Sequence, residues 1–312
     1  MDKLKKIILR ENRTLFDTLP LTYLFAYIVL YGGALLSLFL LARKIPYIFT
    51  SDPEVADFMY TYTAFIGIWV FFIAVALIFK NNRPMIGQLF PKKISKVIIG
   101  LVIGGVVGFV LNSINVVSAI LLGDLKLSFY KVEVLPIIGF IIFICVQSGG
   151  EEIINRLYIY QKLRRRYKNP FVAVIGNALF FLSLHLSNPG VNVACLVELF
   201  LWGVLFALMV LYFDNLWISI ACHTAWNFTQ NIFYGLPNSG IVSKFSIFKI
   251  DSAVDDFFYD TGFGVEGSWG AVLILAIVCV VLIAIFKGKE KNDLWADWKP
   301  NKAKPVNTVN AQ

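Results

Sequence analysis

The chain reads as an all-α, polytopic membrane helix bundle of about eight transmembrane helices. Two observations carry this: 58% of the 312 residues are hydrophobic against 15% charged, and the mean hydropathy is +0.72. A third is that apolar runs of about 20 residues recur along the sequence, each long enough to cross a hydrocarbon core of ~30 Å as a helix. A helix satisfies its own backbone in lipid, so these runs are expected to be helical.

In chain order, spans are expected near residues 21–42, 58–79, 97–122, 135–160, 170–186, 191–213, 216–233 and 271–286. The first is too long for a signal-peptide core and is followed by Arg43 and Lys44 rather than a small-residue cleavage site, so it reads as a retained helix. In the third, Gly100, Gly104 and Gly108 recur every four residues and line one helix face. Such a stripe lets another backbone approach closely. The connection 234–269 is acidic and rich in aromatics, and reads as an interfacial loop capping the membrane surface. From Lys287 onward the chain turns polar, with Pro300 and Pro305, as expected of a disordered cytoplasmic tail. The organisation is therefore an N-terminal arm with three membrane helices (1–134), a four-helix core (135–233), the interfacial loop (234–269), a last membrane helix (270–286) and the tail (287–312).

Charge sets the expected orientation. Of 28 lysines and arginines, 21 fall in the N-terminal arm, the loops after spans two and four, and the tail, against 6 on the opposite side. The positive-inside rule then places both termini in the cytoplasm of a multi-pass membrane protein, in the plasma membrane if the cell is bacterial. The net charge of +8 is accounted for by the anionic headgroups of the lipid bilayer and requires no nucleic acid. Cys145, Cys195, Cys222 and Cys279 stand singly in apolar spans, with no metal-binding or disulfide spacing, and read as small buried hydrophobes.

The only two histidines, His185 and His223, lie in apolar spans, and the fourth span holds Glu151, Glu152 and Arg156. An unpaired charge at the bilayer centre costs about 2.5–3.5 kcal/mol even on the lenient scale, so these groups are expected to pair. Glu152 and Arg156, Phe181 and His185, and His223 and Asn227 are each four apart, which stacks each pair on one helix face. Glu152 with Arg156 alone suits simple neutralisation, and a lone membrane histidine suits packing. Together, a carboxylate, two histidines and an amide are the parts of a hydrolytic site: a base for water and donors for an oxyanion. Successive helical residues point about 100° apart, so Glu151 and Glu152 are expected to face different partners: Arg156 for Glu152, none nearby for Glu151.

These residues resemble the C-a-a-X protease and bacteriocin-processing (CPBP) family of intramembrane endopeptidases. Its first motif, two glutamates, three residues and arginine, appears as Glu151, Glu152 and Arg156; its second as Phe181 and His185 within FFLSLH; its third as His223 and Asn227 within HTAWN. The first motif departs from the common form at Asn155 and Leu157, where a bulky apolar residue and glycine are usual. The resemblance implies hydrolysis of a peptide bond of a membrane-associated peptide or protein, with residues 135–233 as the catalytic core. Glu151 would activate a water, His185 would assist, His223 and Asn227 would bind the oxyanion, and Glu152 would pair with Arg156. No cofactor is favoured; zinc would have Glu151, His185 and His223 as ligands, but Asn227 suits donation better than ligation and the H-E-x-x-H pair is absent.

Two other classes share these features. A proton- or ion-coupled transporter also places carboxylates and histidines in spans, and Glu198 is an intramembrane carboxylate that the motifs leave unexplained. No matched inverted halves accompany it, which counts against transport. A non-catalytic bacteriocin-immunity or scaffold protein would carry the same motifs.

Overall fold

The computed structural model describes residues 8–11, 13–40, 42–291 and 293–299. Eleven α-helices follow in order among them: α1 (Leu19–Phe39), α2 (Pro53–Thr63), α3 (Ile66–Ile78), α4 (Arg83–Leu89), α5 (Ile94–Leu122), α6 (Val134–Glu152), α7 (Tyr160–Arg166), α8 (Pro170–Ser183), α9 (Val193–Phe213), α10 (Leu216–Phe228) and α11 (Trp269–Phe286). Their starts follow from polar side chains that take up free backbone N–H groups. Asp52, Asn169, Asn192, Asn215 and Ser268 cap α2, α8, α9, α10 and α11. Two π-helical turns, Ile153–Ile159 and Thr229–Phe233, extend α6 and α10.

Six rods are long and apolar enough to cross a membrane: α1, α2 with α3, α5, α6 through α7, α9 and α11. That is the make-up of a multi-pass membrane protein, and six rather than eight is the number the described residues support. The fifth expected span is the 14-residue α8, and the seventh is helical from Leu216 to Phe233 but carries His223, Asn227, Gln230 and Asn231. The seventh is largely buried among its neighbours, which relaxes the demand for apolarity. At the centre stands α9, with 72% of its apolar window buried, against 22% for the peripheral α11.

The glycine stripe lies against α10. A Cβ on Gly104 would stand 2.2 Å from Ile218 O, and one on Gly108 2.2 Å from Cys222 O. The helix that carries His223 is thus seated backbone to backbone on α5, as the four-residue spacing predicts.

The expected cap is only partly superficial. Residues Phe248–Ala253 form a strand, β2, that pairs antiparallel with Leu125–Phe129, β1, so a small ribbon joins the helices. Phe245, Tyr259, Phe263 and Val265 are buried in the protein rather than laid on its surface. Gln230 and Asn231, turned inward by the second π-turn, donate to Pro237 O and to Leu236 O and hold this segment down.

The expected disorder of the tail does not hold for its described part. Trp295 is 2% exposed, and the Arg165 guanidinium lies 4.6 Å from the Trp295 ring and 4.8 Å from that of Trp298. Two tryptophans supply the apolar area that a reading of scattered lysines and prolines overlooks; residues 300–312 lie outside the described residues, as do Lys3, Lys5 and Lys6. Asp293 takes Arg10 at 2.7 Å, so the two described ends of the chain meet. Nearby, Asp17 is buried and accepts Arg165 Nε at 2.9 Å and Lys162 Nζ at 2.8 Å. Burial alone would raise the Asp17 carboxyl, but Arg165 and Lys162 outweigh it and hold it below the usual carboxylate range. Among the described residues, Arg10, Lys162 and Arg165 are thus brought together near the ends of the chain.

Candidate active site

Glu151 and Glu152 end α6, just before the first π-turn, and Arg156 lies inside that turn. π-turns of this kind recur at functional sites. Gly149 makes room beside them: a Cβ there would stand 2.2 Å from Trp69, whose indole donates to Val146 O at 2.8 Å.

Arg156 is fully buried. Its Nη1 donates to Glu152 Oε1 at 3.0 Å, and its guanidinium is held between the rings of Phe181 and Phe206, 4.7 and 4.9 Å away. The pairing expected from the i, i+4 spacing is present, and the aromatic faces add cation–π attraction in place of water.

His223 corrects the expectation that the adjacent glutamates face different partners. Its Nδ1 stands 3.0 Å from Glu152 Oε1, and its Nε2 stands 3.8 Å from Glu151 Oε2. One imidazole, being two-ended, meets both carboxylates, and Asn227 one turn further along α10 reaches Gln147 on α6. The ring stacks on Phe206, with centroids 5.1 Å apart and planes at 23°. With an ionised Glu152 accepting at Nδ1, the ring proton belongs on Nδ1 and Nε2 is turned to Glu151.

Glu151 has one oxygen committed and one open. Gln147 Nε2 donates to Oε1 at 2.5 Å, whereas Oε2 has no hydrogen-bond partner. Asn227 Nδ2 donates to Gln147 Oε1 at 3.2 Å. His185 lies just past the end of α8 rather than on the helix, with Nδ1 2.9 Å from Phe181 O. A cavity of about 440 Å³ is lined by Glu151, His185, His223 and Asn227 together with Gln147, Tyr62, Ser239 and other residues. Four of the six expected site residues thus open on one cavity, while Glu152 and Arg156 stand behind the wall.

Among the described residues no group of three histidine, cysteine or carboxylate side chains is placed to hold a metal. Glu198 is fully buried and takes Trp202 Nε1 at 2.6 Å; it is not part of the cavity lining.

Residues 133–229, a stretch shorter than half of the chain, are similar to the family described as type II CAAX prenyl endopeptidase Rce1-like. The matched segment contains all six of the residues named above and stops short of the 234–269 segment. No curated protein and no solved structure matches the chain.

Three residues escape a motif reading: Gln147 and Asn238, which line the cavity, and Glu266, buried behind Asn238. Gln147 had a signal, since it is a polar amide in an apolar span one turn before Glu151, the same spacing as the other pairs. Asn238 and Glu266 lie in the 234–269 connection, and only folding brings them to the site.

Proposed function

We propose that the protein is an intramembrane endopeptidase that hydrolyses a peptide bond of a membrane-associated protein or peptide by glutamate-activated water, without a metal. The observation that carries this reading is the buried, unpartnered Oε2 of Glu151, set 3.8 Å from His223 Nε2 on the wall of the cavity. A water within hydrogen-bond reach of Oε2 also lies against that imidazole. Glu151 takes the water's proton, the hydroxide attacks the peptide carbonyl carbon, and the same proton then goes to the leaving amine as the C–N bond breaks.

The oxyanion formed by that attack needs donors. Asn227 Nδ2 has a second hydrogen beyond the one given to Gln147, and His223 contributes charge when protonated. His185, which also lines the cavity, assists. Glu152 holds His223 Nδ1 and neutralises Arg156, so its part is positioning. The match over residues 133–229 supports the same class. Glu198, the intramembrane carboxylate that the motifs leave unexplained, accepts Trp202 Nε1 and does not line this cavity, so the hydrolytic site does not need it.

In this reading α8 and α10 complete eight crossings, and the basic segments with both termini face the cytoplasm. The test compares the membrane peptidomes of cells carrying the parent chain and Glu151→Gln. A peptide end present with the parent and missing with the variant supports the reading and names the substrate. Identical peptidomes from equally expressed proteins would refute it.

A further inference from the structure

The cavity is joined to the 234–269 segment by a chain of side-chain amides with a fixed direction. It starts at Glu266, a buried carboxylate outside the motif region. Its Oε1 accepts Trp226 Nε1 at 2.7 Å and Asn238 Nδ2 at 3.0 Å, and its Oε2 accepts Ser239 N at 2.7 Å. Asn238 Nδ2 also donates to Asn227 Oδ1 at 3.3 Å, Asn227 Nδ2 to Gln147 Oε1 at 3.2 Å, and Gln147 Nε2 to Glu151 Oε1 at 2.5 Å.

An amide has a donor end and an acceptor end, and an isolated one can flip. This chain cannot flip in part. The Trp226 indole N–H and the Ser239 backbone N–H can only donate, so both oxygens of Glu266 accept, and Asn238 presents its NH2 to Oε1. The second hydrogen of that NH2 takes the oxygen of Asn227, which turns the Asn227 NH2 toward Gln147 and the cavity. Gln147 then has its oxygen occupied and its NH2 aimed at Glu151. Starting from an ionised Glu151, the opposite direction of reasoning gives the same three orientations. The two carboxylates therefore agree, and a reversal would set an amide oxygen against one of them.

We infer that Glu266 is a positioning residue: through Asn238 it fixes the amide orientation of Asn227 and Gln147, so that Asn227 offers a donor to the oxyanion and Glu151 keeps Oε2 for water. The value of this arrangement depends on the endopeptidase reading, but the arrangement itself does not. It also gives the 234–269 segment a part in the chemistry beyond covering the cavity.

The test reads the amide directly. The chain contains five glutamines, Gln88, Gln147, Gln161, Gln230 and Gln312, so [15N]glutamine-labelled protein in lipid nanodiscs gives a countable set of side-chain NH2 signals. Gln147→Leu assigns the Gln147 pair. In the parent, one of its protons should lie downfield, as a donor to a carboxylate does. Glu266→Gln and, separately, Asn238→Ala should move it upfield toward the position of free glutamine. Asn238→Ala leaves Glu266 bonded to Trp226 and Ser239, so it decides the matter if Glu266→Gln does not fold. An unmoved Gln147 signal in folded Asn238→Ala would overturn the proposal. A moved signal in a protein that cleaves nothing would uphold the relay and refute the peptidase reading.

Discussion

His223 Nδ1 and Glu152 Oε1 stand 3.0 Å apart, and the same carboxylate oxygen takes Arg156 Nη1 at 3.0 Å. A single buried oxygen thus fixes the ring of the site histidine and neutralises Arg156. Glu152→Gln strands Arg156 without a counter-charge and should cost about 3–5 kcal/mol. Adding Arg156→Gln should recover part of that loss, since the guanidinium that lost its partner is then no longer present. Thermal melts of the parent, both single variants and the double variant in detergent check this. A Glu152→Gln protein as stable as the parent would show that the ion pair does not hold α6 in place.

The glycine stripe supplies its own control. Gly104→Ala and Gly108→Ala push a Cβ against the α10 backbone, to 2.2 Å in each case, and should each destabilise by about 1–3 kcal/mol. Gly105, between them, faces open space, so Gly105→Ala should be neutral or should stabilise by up to about 1 kcal/mol. Melting temperatures of the three variants distinguish a packing interface from a general intolerance of substitution in α5.

Much of this was legible in the sequence, and the reason is locality. The Glu152–Arg156 pair and the glycine face follow from the helical period alone, and they appear where that period puts them. The gathering of Glu151, His185, His223 and Asn227 was expected only through the family resemblance, because rise along separate helices does not determine how they tilt. Unreadable were the contacts made across the fold: His223 on both glutamates, Trp295 under Arg165, and Asn238 and Glu266 behind Asn227. The π-turns after α6 and α10 also left no mark, since nothing in their residue types opposes an ordinary helix.

Asp17 gives a pH dependence of known sign. Its carboxyl is held below the usual range in the folded protein, so its contribution to stability is complete above the unfolded value of about 3.9 and is lost as pH falls further through the folded value. Melting temperature should therefore drop below about pH 4 more steeply in the parent than in Asp17→Asn. The variant should also be less stable at pH 7, where Lys162 and Arg165 lose their partner. Parallel acid limbs for the two proteins would contradict this.

Residues of the 234–269 segment should separate by role. Ile241 lines the cavity, whereas Asn238 bonds to Asn227. With the peptide identified from the membrane comparison, Ile241→Ala should raise KM with little change in kcat. Asn238→Ala should lower kcat instead, because it releases a group that acts on the transition state. Equal effects on both constants from both variants would assign the segment a purely structural part.

The central claim is that Glu151 is the base. The most direct measurement is the cleavage rate of that same peptide by purified parent and Glu151→Gln in detergent, at matched folded concentration. Glu151→Gln removes the base without stranding a charge, so its melting temperature should stay close to the parent's. Its kcat should fall by about 10²–10⁴, the range of a general base. A folded Glu151→Gln that cleaves at close to the parent rate would contradict the mechanism.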